Sequence, residues 1–269
     1  MVLDHLITPN KAAGKPHAML VLGALFVSFG ILVEYFLPSM GGSALVFAVL
    51  PAVPLFWSLL AREEEKDECV RASSLVDAVK KEGALLSRHS RLVKIYAFFF
   101  LGAVLAFTAW YALLPADAGA RVFAPQLEEV SAIQGLTTGW SFNVQRAWFL
   151  FSHNLGVLAL MLAFCLLYGI GSVYLLVWNA AILGVVLGEA VKAGGVMGFV
   201  YGFLGLLPHG SLEIAGYFVA SIAGGILSAG LTKSRHCPGG MRQVLVDTAT
   251  LALASVALIA LGALLEGSY

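Results

Sequence analysis

Leu207-Pro208-His209-Gly210-Ser211-Leu212-Glu213 is a short polar run in an otherwise apolar sequence. A Gly-rich apolar segment precedes it and another long apolar stretch follows. Ionisable groups in such a place are costly and by default mark a functional site. Pro208 restricts the backbone before it, and Gly210 permits a sharp turn after the histidine. A helix starting near Ser211 would bring its free N–H groups and positive dipole end within reach of Glu213. His209 and Glu213 are four residues apart, so one helical turn can bring their side chains together. The run predicts an all-α polytopic membrane protein with a polar site near one face.

Working outward, apolar residues make up 59% and charged residues 12% of the 269. With a mean hydropathy of +0.88, the ordinary soluble globular class is excluded. A formal net charge of zero gives no reason to expect nucleic acid as a partner. Cys69, Cys165 and Cys237 are isolated thiols, an odd number at wide spacing, which argues against a disulfide framework or a Cys-rich metal site. Lys11 and Lys15 lead into an apolar run too long for the core of a cleavable signal.

Seven apolar spans come near the roughly 20 residues that cross a bilayer: 18–37, 43–61, 93–114, 147–168, 172–190, 212–231 and 244–265. The further piece 195–207 would reach only about 20 Å as a helix and, ending at Pro208, is expected to be a short re-entrant half-helix. With the N-terminus in the cytoplasm, thirteen Lys and Arg lie inside and only Arg121, Arg146 and Lys192 outside. That bias favours seven crossings, N-in and C-out, in a multi-pass cell-membrane protein. Residues 1–61 then form an N-terminal two-helix hairpin, and 62–90 a charged cytoplasmic helical linker. The main membrane unit is 91–269, with an outer loop at 115–146. In the linker, Ser74 and Asp77 resemble a capping box ahead of Leu75, Val76, Val79 and Leu86 at helical spacing.

Small residues recur four apart in Ala180/Gly184/Gly188, Gly194/Gly198/Gly202 and Gly216/Ala220/Gly224/Ser228. Such rows let helices approach closely within one chain, with homo-oligomer contacts as the alternative. The fifth and sixth spans are expected to meet along Gly184/Gly188 and Gly216/Ala220. The polar candidates for a binding site are His209, Glu213, Asn154, Asn179, His153, Glu189 and Glu266. Glu34 ends a span on the outer side, from which it can snorkel to water. His209, Glu213, Asn154 and Asn179 are expected to line one pocket that opens outward.

The run Pro208-His209-Gly210-x-x-Glu213, continuing into Gly216, resembles the signature of the stage II sporulation protein M family. Asn154 resembles the family's Asn in the helix after the outer loop. Asn179-Ala180-Ala181-Ile182-Leu183-Gly184 resembles its NGxxLG-like run, with Ala180 in place of Gly, and Glu266 resembles the acidic residue closing the last helix. His153 stands where the family often has a second Asn. The resemblance covers 91–269 and marks a divergent member. It implies a membrane scaffold or assembly protein of the cell envelope, with envelope or cytosolic proteins and the lipid bilayer as partners.

Two other classes stay open. One is a channel or secondary carrier for an ion, proton or small polar solute, because a broken helix aimed at a polar site is how transporter sites are built. The other is an intramembrane hydrolase or metalloenzyme. Zinc needs three or four ligands; His209 and Glu213 supply two, and His153 would have to be the third. No HExxH or GxSxG motif occurs, and no nucleophile stands beside a base, so the sequence leans away from an enzyme and names no cofactor.

Overall fold

The computed structural model describes residues 15–38, 42–64, 90–134, 144–168, 171–233 and 240–268, all helical or in short turns. The helices are α1 (Ala18–Phe36), α2 (Ala44–Val49), α3 (Ala52–Glu64), α4 (Ser90–Leu113), α5 (Ala116–Val122), α6 (Ala124–Gln134), α7 (Val144–Tyr168), α8 (Ser172–Lys233) and α9 (Gly240–Glu266). Ser74, Asp77 and nearly all of the charged linker lie outside the described residues.

Among the described residues, five stretches are long and apolar enough to cross a membrane: Ala18–Phe36, Arg91–Leu113, Val144–Tyr168, Ser172–Ser228 and Val244–Glu266. The fourth has 57 residues, which would extend about 86 Å if straight, against an apolar core of about 30 Å. It is not straight. Gly194 (φ −138°, ψ 15°) and Gly195 (φ 59°, ψ −140°) break the helix, and Gly195 occupies backbone space that only glycine enters cheaply. Beyond the break the chain folds back. A Cβ on Gly198 would collide with the carbonyl of Ala190, and Gly202 faces Ala190 and Leu187. In a straight helix, residues 190 and 198 would stand about 12 Å apart.

This corrects two expectations. Pro208 lies inside the continuing helix, so 195–207 is not a separate half-helix and no new helix starts at Ser211. Pro208 deletes one N–H bond to the carbonyl of Leu204, a defect that membrane helices tolerate; a Gly pair with a positive φ interrupts the helix altogether. The span expected at 43–61 is also not one helix. It is the six-residue α2 and the 13-residue α3, separated at Leu50-Pro51, with Pro54 in the first turn of α3, where its missing N–H costs nothing.

Packing follows the glycines. A Cβ on Gly23 would strike the Phe99 carbonyl, one on Gly102 the backbone of Leu20, and one on Gly30 the carbonyl of Ala44. These contacts seat α1 against α4 and α2. Gly184 and Gly188 press on Phe107 and Tyr111 of α4, whereas Gly216 faces Ser255 and Ile259 of α9, and Gly224 faces Cys165 of α7. The small-residue rows do bring helices together, but the two halves of α8 meet at Gly198 and Gly202 and not, as expected, along Gly184/Gly188 and Gly216. One apolar core runs from Met19 to Ile259, including Phe56, Phe99, Phe107 and Phe218.

Glu34 does not snorkel. It is 1% exposed, and its carboxylate accepts the backbone N–H of Gly42 (2.7 Å) and of Ala44 (2.5 Å). It thereby caps α2, whose N-cap residue Ser43 makes no side-chain cap bond. The expected outer loop holds α5 and α6, with Phe123 between them stacked edge-on to Phe107 and Tyr111.

Candidate functional site

Three helices, α7, α8 and α9, build a polar column. One end of it lies where α7 begins and α9 ends. There Arg146 Nη2 pairs with Glu266 Oε1 at 3.2 Å, both side chains mostly buried. His209 Nε2 stands 3.8 Å from the other oxygen of Glu266. Gly267 lies against Ala147, which lets the end of α9 close on α7.

One turn further along α8 is Glu213. Its Oε1 accepts a 2.7 Å hydrogen bond from Asn154 Nδ2. Asn154 Oδ1 in turn accepts the Tyr217 hydroxyl at 2.8 Å. Asn154 is 7% and Tyr217 3% exposed, so both are buried and both are satisfied, as buried polar groups must be. Gly262 makes room for the Glu213 side chain on α9: a Cβ there would sit 2.8 Å from Glu213 Cγ. His209, Glu213 and Tyr217 are spaced by four along one face of α8, which is why they line a single column.

Asn154 is the eleventh residue of the 25-residue α7, so the column reaches about 15 Å from that helix's end. Below Tyr217 it closes. Ala220 and Ala223 are fully buried, and Ser221 turns its hydroxyl onto the Tyr217 carbonyl at 2.8 Å. Gly224 packs on Cys165, whose thiol lies 3.9 Å from the Ser221 carbonyl.

The structure does not bring all seven candidates together. His209, Glu213, Asn154 and Glu266 share the column. Asn179 does not: its amide donates to the carbonyl of Leu175 in its own helix at 2.8 Å. His153 turns to Glu129 of α6 (3.5 Å), and Glu189 accepts the Tyr111 hydroxyl at 3.3 Å. Lys192 lies 4.0 Å above the same Tyr111 ring, a cation–π contact. With His153 occupied elsewhere, the three-ligand set His209/Glu213/His153 is not assembled. Among the described residues no three His, Cys, Asp or Glu side chains converge as a metal site. Two members of the column, Arg146 and Tyr217, were not among the sequence candidates. The four-residue series 209, 213, 217 pointed to Tyr217; Arg146 stood out only as an outer charge.

One atom in the column has no partner. His209 Nδ1 is buried and makes no hydrogen bond.

The family model described as stage II sporulation protein M matches residues 95–269, which takes in nearly all of α4 and everything after it, including the whole column. Among curated proteins and solved structures, nothing matches the chain.

Proposed function

The chain belongs to the stage II sporulation protein M family, and from that premise we propose that this integral membrane protein is a scaffold or assembly factor of the cell envelope. In this account its polar column is a recess that receives a polar group from a partner. The observation that carries the proposal is that the column is one-sided. Hydrogen bonds and ion pairs run from Arg146 to Tyr217, and beyond Tyr217 the buried Ala220 and Ala223 and the Gly224–Cys165 contact bring the helices close together. A polar cluster confined to one end of the helices suits docking better than passage.

The recess faces the outside in this account. Both halves of α8 cross, and α2 with α3 makes one broken crossing, giving seven in all with the N-terminus inside. The column's Arg146–Glu266 end then shares a face with Arg121, Lys192 and the α5–α6 segment, the lysine- and arginine-poor side. The segment α5–α6, tied to α7 through Glu129 and His153, is the natural contact surface for an envelope protein in the cell membrane, and the charged linker 62–90 for a cytosolic one. Helices α1 and α3, which precede the matched residues, pack against α4.

A second reading is a carrier for a cation or proton, favoured by the position of Glu213 opposite the midpoint of α7; transporter sites also lie near the bilayer midplane.

One experiment separates the two. A photo-reactive amino acid at Glu128, exposed on α6, should cross-link an envelope protein in living cells. Gln at position 213 and Ala at position 209 should weaken that adduct without lowering membrane abundance. Proteoliposomes of the purified protein should show no Glu213-dependent proton or sodium flux. Flux that Glu213→Gln abolishes, with no discrete adduct, would replace the scaffold by the carrier.

A further inference from the structure

We propose that a groove between α2–α3 and the start of α8 holds one acyl chain of a membrane phospholipid, at the seam where the N-terminal helices meet the family unit. The site is separate from the polar column. Val46, Val49, Leu50, Val53 and Tyr174 line a groove of about 310 Å³, at the small end of the range of ligand sites, roughly 300–1,000 Å³. Positions 46, 49, 50 and 53 follow the i, i+3, i+4, i+7 spacing of a single helix face. That face continues from α2 into α3 although the helix is interrupted between Val49 and Ala52. Val49 is buried, whereas Val46, Leu50 and Val53 are exposed along the opening.

The side chains present cannot close this gap. Valine is short and branched at Cβ, and in a helix it keeps essentially one χ1 rotamer. Tyr174 on the opposite wall is packed against the apolar core. Left empty, the groove would forfeit the dispersion contacts of its lining atoms, and packed proteins leave few voids of that kind. Water is a poor occupant, because it needs two to four polar partners and four of the five lining side chains are aliphatic.

The position of the groove says what fills it. Helix α2 packs on α1 through the Gly30–Ala44 contact and borders α8 through Tyr174, and α1 and α8 are both long and apolar enough to cross a membrane. No Asp, Glu, Lys, Arg or His occurs between Glu34 and Arg62. Beside the groove, Leu50, Val53 and Trp57 present an exposed apolar surface. The opening therefore faces the hydrocarbon of the bilayer, where a flexible, unbranched chain is the molecule at hand. No charged side chain lines the groove, so the headgroup plays no part in the fit. Four of the lining residues precede the matched residues 95–269, and Tyr174 lies within them. The lipid tail thereby joins the added helices to the family unit.

The test uses the full-length protein in nanodiscs of palmitoyl-oleoyl phosphatidylcholine or, separately, of palmitoyl-oleoyl phosphatidylglycerol. Native mass spectrometry counts the lipids that stay with each chain on release. Val46→Phe combined with Val53→Phe fills the groove from its exposed rim, and Val21→Phe on the exposed face of α1 serves as the control. The wild type and the control should retain a lipid equally in both compositions, and the double variant should retain one fewer. The same count in the double variant as in the wild type overturns the proposal. So does retention in phosphatidylglycerol alone, which would assign a headgroup site, or a protein dimer that the double variant disperses, which would assign a second copy. If the double variant does not accumulate, a phosphatidylcholine bearing a diazirine on its acyl chain decides the matter in the wild type. Adducts on Val49 or Tyr174 support the groove, and adducts confined to exposed positions overturn it. None of these results depends on the cross-link from α6, so this proposal and the scaffold reading can fail separately.

Discussion

At the residue scale, the column stands or falls on Asn154, which faces Glu213 with one end of its amide and Tyr217 with the other. Tyr217→Phe removes the donor and leaves a buried amide oxygen unpaired, a loss of about 1–3 kcal/mol. Chemical or thermal denaturation in detergent should therefore show a clear drop for Tyr217→Phe and a smaller one for Glu213→Gln, which preserves an acceptor. Equal tolerance of both would mean the hydrogen-bond chain is absent. Glu34 makes a second case. Its carboxylate caps α2 through two backbone N–H groups, so Glu34→Ala should cost about 2 kcal/mol and leave the α6 cross-link intact. Both roles were partly hidden in the sequence. Acidic residues at the ends of apolar runs look alike whether they snorkel, as expected for Glu34, or turn inward, as it does. Asn179 was as good a candidate as Asn154 on composition alone. What separates them is helix rotation, which places one amide between three helices and lets the other bond back to Leu175 of its own.

At the scale of elements, the decisive feature is where α8 breaks. The sequence offered two candidates, Gly194-Gly195 and Pro208, and the proline looked stronger. Yet a proline removes one hydrogen bond, whereas a glycine at φ 59° and ψ −140° reverses the chain. Pro208→Ala should therefore raise thermal stability, because it restores the bond to the Leu204 carbonyl in a helix that is continuous on both sides. A fall in stability would show that the chain needs its helix to end there. Gly195→Ala should do the opposite and lose about 1–3 kcal/mol of stability. The small-residue rows were legible as close-approach surfaces, but their partners were not. A row at i, i+4 says that something comes near, not which helix, and Gly184 and Gly188 meet α4 instead of the second half of α8. Gly184→Leu should accordingly destabilise the protein strongly, while Gly156→Leu, at a position where an added Cβ meets nothing within 4 Å, should be tolerated. Comparable melting temperatures for the two would contradict the packing described.

At the scale of the whole molecule, the membrane character and the family were legible from composition and from the run at Pro208–Glu213, since both are local properties of the chain. The polar column was legible only in outline, because its residues come from three helices whose mutual rotation no single sequence states. Its proposed opening to the outside ties the site to the topology, and the two are tested together by cysteine accessibility. In a background with Cys69, Cys165 and Cys237 replaced, Glu213→Cys and Ser221→Cys are exposed in intact cells to a small, membrane-impermeant cationic thiol reagent. The account predicts that position 213 is modified from the outside and that position 221, below the Tyr217 seal, is not. Modification of position 213 only after the cytoplasmic face is exposed, or equal modification of both positions, would contradict a dead-ended recess on the outer face.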